Sequence, residues 1–428
     1  MATIIPRFLR ICGYENIDIR ENHTDGIIEN HIKPLPDKPF ECHVCREKIS
    51  RCRGSYKQKV KEVPILNFAY YICLWRRKGD CKKCGKVRAE YVDFISAETP
   101  NVTADFSNWL GSMCEFAPVS RAGKFSKTDS MTAWRIDYNR MKTMLRYYKI
   151  PPVTHISVDE VYSRRKGVKY ESRNKKFFTV ITDLKTKKVV WVSESRDQVA
   201  LDEFFQIIGK KASRRIKVVA MDQHEAYRKS VKEHCPNAKV VWDRFHLMQS
   251  FNEVANDVRK ELFQYAEKSD PERKYLQGKY RFIFLKKDSK RSPSEREHVK
   301  QVMERNSYMM KLELIKERLH SFFNARNKDE AWDIFDEIGD WIHDLGFSYL
   351  IKWYDRLEKQ WDILGHYFDY RVTTALSEGI NNVIKTLKRK AYGYRNMHYF
   401  RLKIMQLCGY LNSDYIPSTK ALAESVGI

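Results

Sequence analysis

The sequence contains no apolar run that approaches the roughly 18 residues needed for a membrane-spanning helix. Its N-terminal stretch, MATIIPRFLRICGYENID, also lacks the hydrophobic core of a secretion signal. No internal repeat and no low-complexity tract stands out. We therefore expect a soluble intracellular protein, located in the cytoplasm and associated with the nucleoid.

Acidic residues are scarce relative to basic ones. The 428 residues include 79 Lys and Arg but only 55 Asp and Glu, which gives a formal net charge of +24. A soluble protein of this charge is expected to bind a polyanion, and nucleic acid is the first candidate. Charge alone does not distinguish a protein that cuts DNA from one that only binds it. The length exceeds the roughly 250 to 300 residues of a single core and indicates several domains.

Four of the ten cysteines form two Cys-x-x-Cys pairs, Cys42 with Cys45 and Cys81 with Cys84. Two such pairs on separate turns can present four thiolates tetrahedrally to Zn²⁺. A disulfide framework is typical of small secreted chains and does not suit this one. We therefore predict a structural zinc ion in an N-terminal module of turns and short strands.

Two observations leave the zinc site open at this point. The first pair, in CHVCR, lacks the glycine that follows the second pair in CKKCG, so the cysteines could be buried thiols without a metal. Cys52, Cys73 and His43 are nearby residues that could substitute as ligands.

Apolar residues recur at helical spacing between about Asn101 and Tyr148. This pattern predicts a helix-turn-helix, in which VSRAGKFSKTDSMTAWRID supplies the turn and the second helix, with Thr128 or Asp129 as the cap. A plain helical hairpin that packs the modules together is the alternative. If the segment binds DNA, its basic candidates are Lys124, Lys127 and Arg135.

Beyond Pro151 and Pro152 the sequence changes to five β-like runs, HISVDEVY, KFFTVITDL, KVVWVSES, IKVVAMD and AKVVWD. The first three are joined by short turns, whereas amphipathic helices separate the later ones. This order predicts a mixed α/β sheet, with an antiparallel meander followed by parallel strands. From Arg244 onward the pattern is helical.

Asp159 and Asp222 each follow a β-like run, where functional groups of α/β sheets commonly gather. A single aspartate in this position is usually a turn or cap residue. Two on neighbouring strands would repel each other unless a cation lies between them. Oxygen ligands suit Mg²⁺, and two such ions can stabilise both the attacking and the leaving oxygen in phosphoryl transfer.

Glu378 is the best candidate for a third carboxylate, because it opens SEGINNVIKTLKRKAYGYRN and no further acid follows until Asp414. On a helix, Glu378, Asn382 and Lys385 would share one face. The flanking positions are Asn381, Lys388 and Arg389. The alternative is a basic surface helix whose N-terminal glutamate is favoured by the helix dipole.

The segments VDEVYSRRKGVKY, VVAMDQHEAYRKSVKEHCPNAKVVWDRFH and SEGINNVIKTLKRKAYGYRN resemble the ISL-three family of bacterial insertion-sequence transposases. The resemblance implies that Asp159, Asp222 and Glu378 are the DDE residues of a ribonuclease-H-like domain interrupted by a helical insertion. The implied domains are a zinc-ribbon-like DNA-binding module (1–98), a helix-turn-helix (99–150), the first part of the catalytic domain (151–250), the insertion (251–365), the last part of the catalytic domain with the Glu378 helix (366–412) and a tail (413–428).

By this resemblance the chain would bind the terminal inverted repeats of its element, cleave DNA at the ends and join the 3′-hydroxyl ends to target DNA. Two Mg²⁺ ions, replaceable by Mn²⁺, would serve these steps, and a homodimer would hold the two ends. The alternatives are a transposase-derived DNA-binding regulator without nuclease activity and a nuclease that cleaves without joining.

Two further groups of residues have less specific roles. Asp243 and His246 in DRFH resemble an element of related transposases beyond the second aspartate, although a helix cap and a packed histidine would explain them equally well. The candidate phosphate contacts are Arg164, Arg165, Lys166, Asn382, Lys385, Lys388 and Arg389.

Overall fold

The computed structural model describes residues 11–163, 173–268, 273–274, 276–372, 375–391 and 393–413, apart from the side chains of 279 and 375–377. The chain divides into two compact units. The first unit comprises residues 1–149 and 389–428, and the second comprises residues 150–388. No helix in the described part of the chain combines the length and the apolar character needed to cross a membrane.

The strands and helices of the described residues are numbered here in chain order. The strands are β1 (Tyr14–Asn22), β2 (Ile27–Pro34), β3 (Cys52–Ile65), β4 (Phe68–Cys81), β5 (Lys86–Ala89), β6 (His155–Tyr162), β7 (Phe177–Asp183), β8 (Lys188–Ser193), β9 (Val218–Met221) and β10 (Lys239–Trp242). The α-helices are α1 (Ala104–Phe116), α2 (Val119–Phe125), α3 (Ser130–Tyr147), α4 (Gln198–Ser213), α5 (Glu225–His234), α6 (Arg244–Tyr265), α7 (Arg281–Leu285), α8 (Pro293–Arg305), α9 (Ser307–Phe322), α10 (Lys328–Leu345), α11 (Ser348–Glu358), α12 (Trp361–Leu364), α13 (His366–Tyr370), α14 (Ala375–Lys390) and α15 (Met397–Cys408).

The first unit begins with a mixed five-stranded sheet in the order β1-β2-β4-β3, with β5 also paired to β4. β2 and β4 run parallel, and the other pairs are antiparallel. Apolar residues such as Ile32, Val60, Ile72 and Leu74 form its core. β3 and β4 are 14 residues long, so this module is built on longer strands than its composition suggested.

Three helices follow this sheet and pack around Phe106, Leu110 and Ile136. The prediction that VSRAGKF is a turn is wrong, because this segment forms α2 after Pro118. Its seven residues are too few to display a helical repeat. The predicted cap at Asp129 is confirmed, since its side chain accepts a hydrogen bond from the backbone N–H of Thr132 at the start of α3.

A buried charge pair fastens α15 to α3 within the first unit. The fully buried carboxylate of Asp137 accepts hydrogen bonds from Tyr399 Oη (2.6 Å) and Lys403 Nζ (3.2 Å). Lys403 also donates to the carbonyl oxygen of Cys114 (2.7 Å) and to the side chain of Gln406. Residues near the C-terminal end thereby complete the core of a unit that begins near the N-terminus.

The sheet of the second unit has the order β10-β9-β6-β7-β8. β6, β7 and β8 form an antiparallel meander, whereas β9 is parallel to β6 and β10 is parallel to β9. The prediction of a mixed α/β sheet is confirmed. α4 and α5 connect the later strands, as the amphipathic segments indicated.

The helices after β10 bury an aromatic core. Phe322, Phe335, Trp353 and Tyr354 are all nearly inaccessible to solvent. α10 buries one apolar face, which includes Phe335, Ile338 and Ile342. Gly339 on this face leaves room for Tyr354, since a Cβ there would lie 2.4 Å from the Tyr354 ring.

Replacing Lys403 by methionine is expected to destabilise the first unit by about 3–5 kcal/mol, because Asp137 would remain buried without its cation. Urea denaturation followed by circular dichroism measures the loss. Lys142→Met, at an exposed position on α3, is the matched control. A loss for Lys403→Met no larger than that of the control would contradict the role given to the pair.

Candidate active site and cysteine cluster

Three aspartates lie at one edge of the sheet in the second unit. The parallel pairing sets Val158 of β6 opposite Met221 of β9, and Met221 opposite Trp242 of β10. Asp159, Asp222 and Asp243 are the residues that follow these three positions. Asp222 and Asp243 directly follow β9 and β10, whereas Asp159 lies within β6, which continues to Tyr162. Because the strands are parallel and in register, the three residues lie side by side across the sheet.

The imidazole of His246 lies among these three carboxylates. Its Nε2 atom is 3.6 Å from Asp243 Oδ2 and 4.0 Å from Asp159 Oδ1, and its Nδ1 atom is 3.8 Å from Asp222 Oδ2. Asp243 is the N-cap of α6 and accepts a hydrogen bond from the backbone N–H of Phe245 (2.8 Å). This cap fixes the first turn of α6, which carries His246 toward the acids.

Of the two aspartates that the sequence predicts as metal ligands, Asp159 is the less exposed to solvent. Its Oδ1 atom accepts from the backbone N–H of Glu160 (2.7 Å), and its Oδ2 atom accepts from Asn381 Nδ2 (2.7 Å). Burial raises the pKa of Asp159, so the anion is disfavoured in the absence of a cation. The side chain of Asp222 is 40% exposed and therefore open to a ligand from solvent.

Glu378 lies in the first turn of α14 and is exposed. Side chains three residues apart on a helix are neighbours, so Glu378 is one turn from Asn381. The hydrogen bond between Asn381 and Asp159 therefore positions this turn of α14 beside the acid of β6. The contact is made by Asn381 and not by Asn382, whose side chain is exposed.

The basic candidates occupy different parts of the described structure. Lys388 is half-buried, lies over the Tyr162 ring and donates to the Tyr162 carbonyl oxygen (3.2 Å). Lys385 and Arg389 are exposed on α14, and Lys124, Lys127 and Arg135 are exposed in the helical part of the first unit. Arg164, Arg165 and Lys166 lie outside the described residues.

The four predicted cysteines come together in the first unit. One sulfur from each of Cys42, Cys45, Cys81 and Cys84 lies within 4.8 Å of the other three. The shortest separations are 3.4 Å between Cys45 and Cys81 and 3.5 Å between Cys45 and Cys84. A set of four convergent sulfurs could bind zinc.

The two Cys-x-x-Cys turns have the same local geometry. Each ends on a residue with positive φ, Arg46 (63°) in the first turn and Gly85 (64°) in the second. The backbone N–H of Val44 points at the sulfur of Cys42, and that of Cys84 points at the sulfur of Cys81, each at 3.4 Å. The missing glycine of the first turn is thus replaced by an arginine in the left-handed conformation.

Burial opposes ionisation of Cys42, but backbone N–H groups of Cys45 and Val44 lower the pKa of its thiol to about 7. Such a shift favours the thiolate, the form that binds metals. Two of the alternative ligands have other partners. Cys52 donates to the carbonyl oxygen of Gly54, and His43 Nδ1 contacts the carbonyl oxygen of Ala89.

The model of the ISL3 family of DDE transposases, described as "Transposase", matches residues 156–404, which is more than half of the chain and runs from β6 into α15. The chain belongs to this family.

Two relatives are similar to the transposase described here. The transposase for insertion sequence element IS1001 of Bordetella parapertussis is 24% identical over 393 residues, covering 92% of this chain and 94% of the relative. The transposase for insertion sequence element IS1557 of Mycobacterium tuberculosis is 20% identical over 309 residues, covering 67% of each. Membership of the family implies a DNA substrate and the use of divalent metal ions.

Sequence reasoning placed Asn381 beside the expected functional face of the helix and not on it. The structure makes it the direct partner of Asp159 in the transposase. The sequence feature that could have identified Asn381 is its position three residues after Glu378, because side chains three residues apart on a helix are neighbours, as are side chains four residues apart.

Removing zinc with a chelator is expected to expose residues 1–95 of the transposase to proteolysis, because the four thiolates fasten turns that share only a small apolar cluster. Limited proteolysis with mass mapping measures the effect. Cys45→Ser should reproduce it, and Cys52→Ser, an exposed cysteine outside the cluster, should not. Unchanged protease resistance in chelator would exclude a structural metal.

Proposed function

We propose that this transposase binds the terminal inverted repeats of an insertion sequence, cleaves DNA at its ends and joins the 3′-hydroxyl ends to target DNA. The observation that carries the proposal is the convergence at one sheet edge of Asp159, Asp222 and the α14 turn of Glu378. A hydrolysis step and a strand-transfer step can both use one such set of carboxylates, with water as the nucleophile first and the 3′-hydroxyl second.

The catalytic domain is proposed to have a ribonuclease-H-like fold. Its support is the five-stranded sheet, in which the antiparallel strands β6, β7 and β8 come first in the chain. The parallel strands β9 and β10 follow, and they lie on the side of β6 opposite to β7. The proposed parts are residues 151–250 and 366–412, separated by a helical insertion at 251–365 and followed by a tail at 413–428. Residues from 389 onward belong to the first compact unit, so the last proposed part is shared between the two units.

Asp159, Asp222 and Glu378 are proposed to hold two Mg²⁺ ions, with Mn²⁺ as a possible substitute. Bound in this way, the ions would stabilise the attacking and the leaving oxygens of the displaced phosphate. The residues present fit such ions, because burial raises the pKa of the Asp159 carboxyl, a cation would lower it again, and Asn381 orients the carboxyl.

His246 and Asp243 are proposed to assist these acids. The Asp243 cap holds the imidazole, and its ring nitrogens face both Asp159 and Asp222. A histidine in this place can hold a proton at Nδ1 or Nε2 while a substrate oxygen is bound between the two aspartates.

DNA contacts are proposed for both units. The exposed side chains of Asn382, Lys385 and Arg389, together with Lys388, would bind phosphates near the acids. Arg164, Arg165 and Lys166 are proposed to do the same. In the first unit, the cysteine module (1–98) and a helix-turn-helix (99–150) with Lys124, Lys127 and Arg135 would recognise the element ends. A homodimer would bring two ends together.

Asp222→Asn is expected to reduce cleavage of end-containing DNA in Mg²⁺ by about 10³-fold, equivalent to roughly 4 kcal/mol of transition-state stabilisation, because an amide binds the ion less strongly than a carboxylate. Gel electrophoresis of labelled DNA measures cleavage and joining, and a mobility-shift assay checks that binding remains. Asp333→Asn, at an exposed position on α10, is the control.

The same assay discriminates between the possible functions. Binding without cleavage by the wild-type chain would contradict the proposal and indicate a regulator. Cleavage without joining would indicate a nuclease that processes DNA but does not transpose it.

Asn381→Ala is expected to raise the Mg²⁺ concentration needed for half-maximal cleavage by about 10- to 100-fold, because Asp159 loses the amide that orients it. A Mg²⁺ titration of the cleavage rate measures the shift. Val383→Ala, at an exposed position on the same helix, is the matched control and should leave the Mg²⁺ dependence unchanged. Equal curves for the two variants would show that Asn381 does not position the acid.

A further inference from the structure

A second group of metal-ligating side chains lies on the sheet of the first unit, separate from the four clustered cysteines. It consists of Glu29 and His31 on β2 and Cys73 on β4. His31 is directly opposite Cys73 in the parallel pairing, and Glu29 precedes His31 by two residues, so all three side chains are on one face of the sheet. One ligand atom from each lies within 4.8 Å of the other two.

The histidine of this group is buried and incompletely satisfied. His31 is 5% exposed, and its Nε2 atom is enclosed without a hydrogen-bond partner. The charged group that faces Nε2 is Glu29, whose Oε2 atom lies 3.3 Å away. A buried polar atom left in this condition destabilises the folded state. A ligand that binds Nε2 would remove this cost.

The carboxylate of Glu29 is held in a suitable position. Lys59 Nζ is 2.5 Å from Oε1, whereas Oε2 is the oxygen that faces His31. A lysine on the outer oxygen orients the carboxylate and leaves the inner oxygen free for a metal, as outer partners of metal ligands commonly do.

We propose that Cys73 Sγ, His31 Nε2 and Glu29 Oε2 bind a second zinc ion, with water as the fourth ligand. A thiolate and a carboxylate balance the charge of a divalent cation, and the neutral imidazole completes a set that zinc accepts. The sulfur ligand disfavours Mg²⁺, which prefers oxygen. The ion would fasten β2 to β4 across their parallel pairing. This site is independent of the DNA chemistry proposed above.

The test is the zinc content of the full-length protein, measured by plasma mass spectrometry after loading with zinc and removal of the excess. The wild-type chain and Cys52→Ser should each carry two zinc ions. His31→Asn and Cys73→Ser should each lose one, and Cys45→Ser should lose the other. Unchanged zinc in both His31→Asn and Cys73→Ser, with circular dichroism matching the wild type, would overturn the proposal without affecting the cysteine cluster.

X-ray absorption at the zinc edge of the wild-type chain gives an answer that does not depend on folded variants. A mixture of sulfur with nitrogen and oxygen neighbours is expected if both sites are filled. Four sulfur neighbours per zinc, with no nitrogen or oxygen, would restrict the metal to the four cysteines and overturn the proposal.

Discussion

The candidate active site depends on the in-register parallel pairing of β6, β9 and β10. The residues before the three aspartates, Val158, Met221 and Trp242, are buried and are aligned with one another by the pairing of the strands. A shift of one residue would turn Val158 or Met221 out of the core, and the cost of exposing these side chains holds the register. The positions of the acids are therefore fixed by apolar residues that take no part in the chemistry.

Charge is balanced differently in the two units. In the first unit, Asp137 is neutralised by Lys403, a partner supplied by the chain itself. In the second unit, Asp159, Asp222 and Asp243 share one histidine and an amide. Convergent carboxylates of this kind carry more negative charge than one histidine can balance, which agrees with the metal use that the family implies.

Much of the architecture could be predicted from local patterns. The five β-like runs after Pro152 became β6 to β10, and the Asp129 cap was recognisable because it depends on a single residue. α2 could not be seen, since seven residues show too little periodicity. The cysteine turn that ends at Arg46 was obscured because a positive φ is rare for a residue other than glycine and was expected only where glycine occurs.

Features that join distant parts of the chain were the least predictable. His31 meets Cys73 only because β2 and β4 pair in parallel, with the β3 strand between them in sequence. Likewise, helical spacing identified the α14 residues near Glu378 but not which amide would contact Asp159, because that depends on the rotation of α14 against the sheet.

The hydrogen bond between Asp159 and Asn381 joins residues 222 positions apart, and most of the intervening chain after β10 is helical. During synthesis, β6, β9 and β10 are complete long before α14 leaves the ribosome. The helical insertion must then fold to bring the two ends of this span together. A chain released before α14 is complete would therefore hold Asp159 without the Asn381 amide that contacts it.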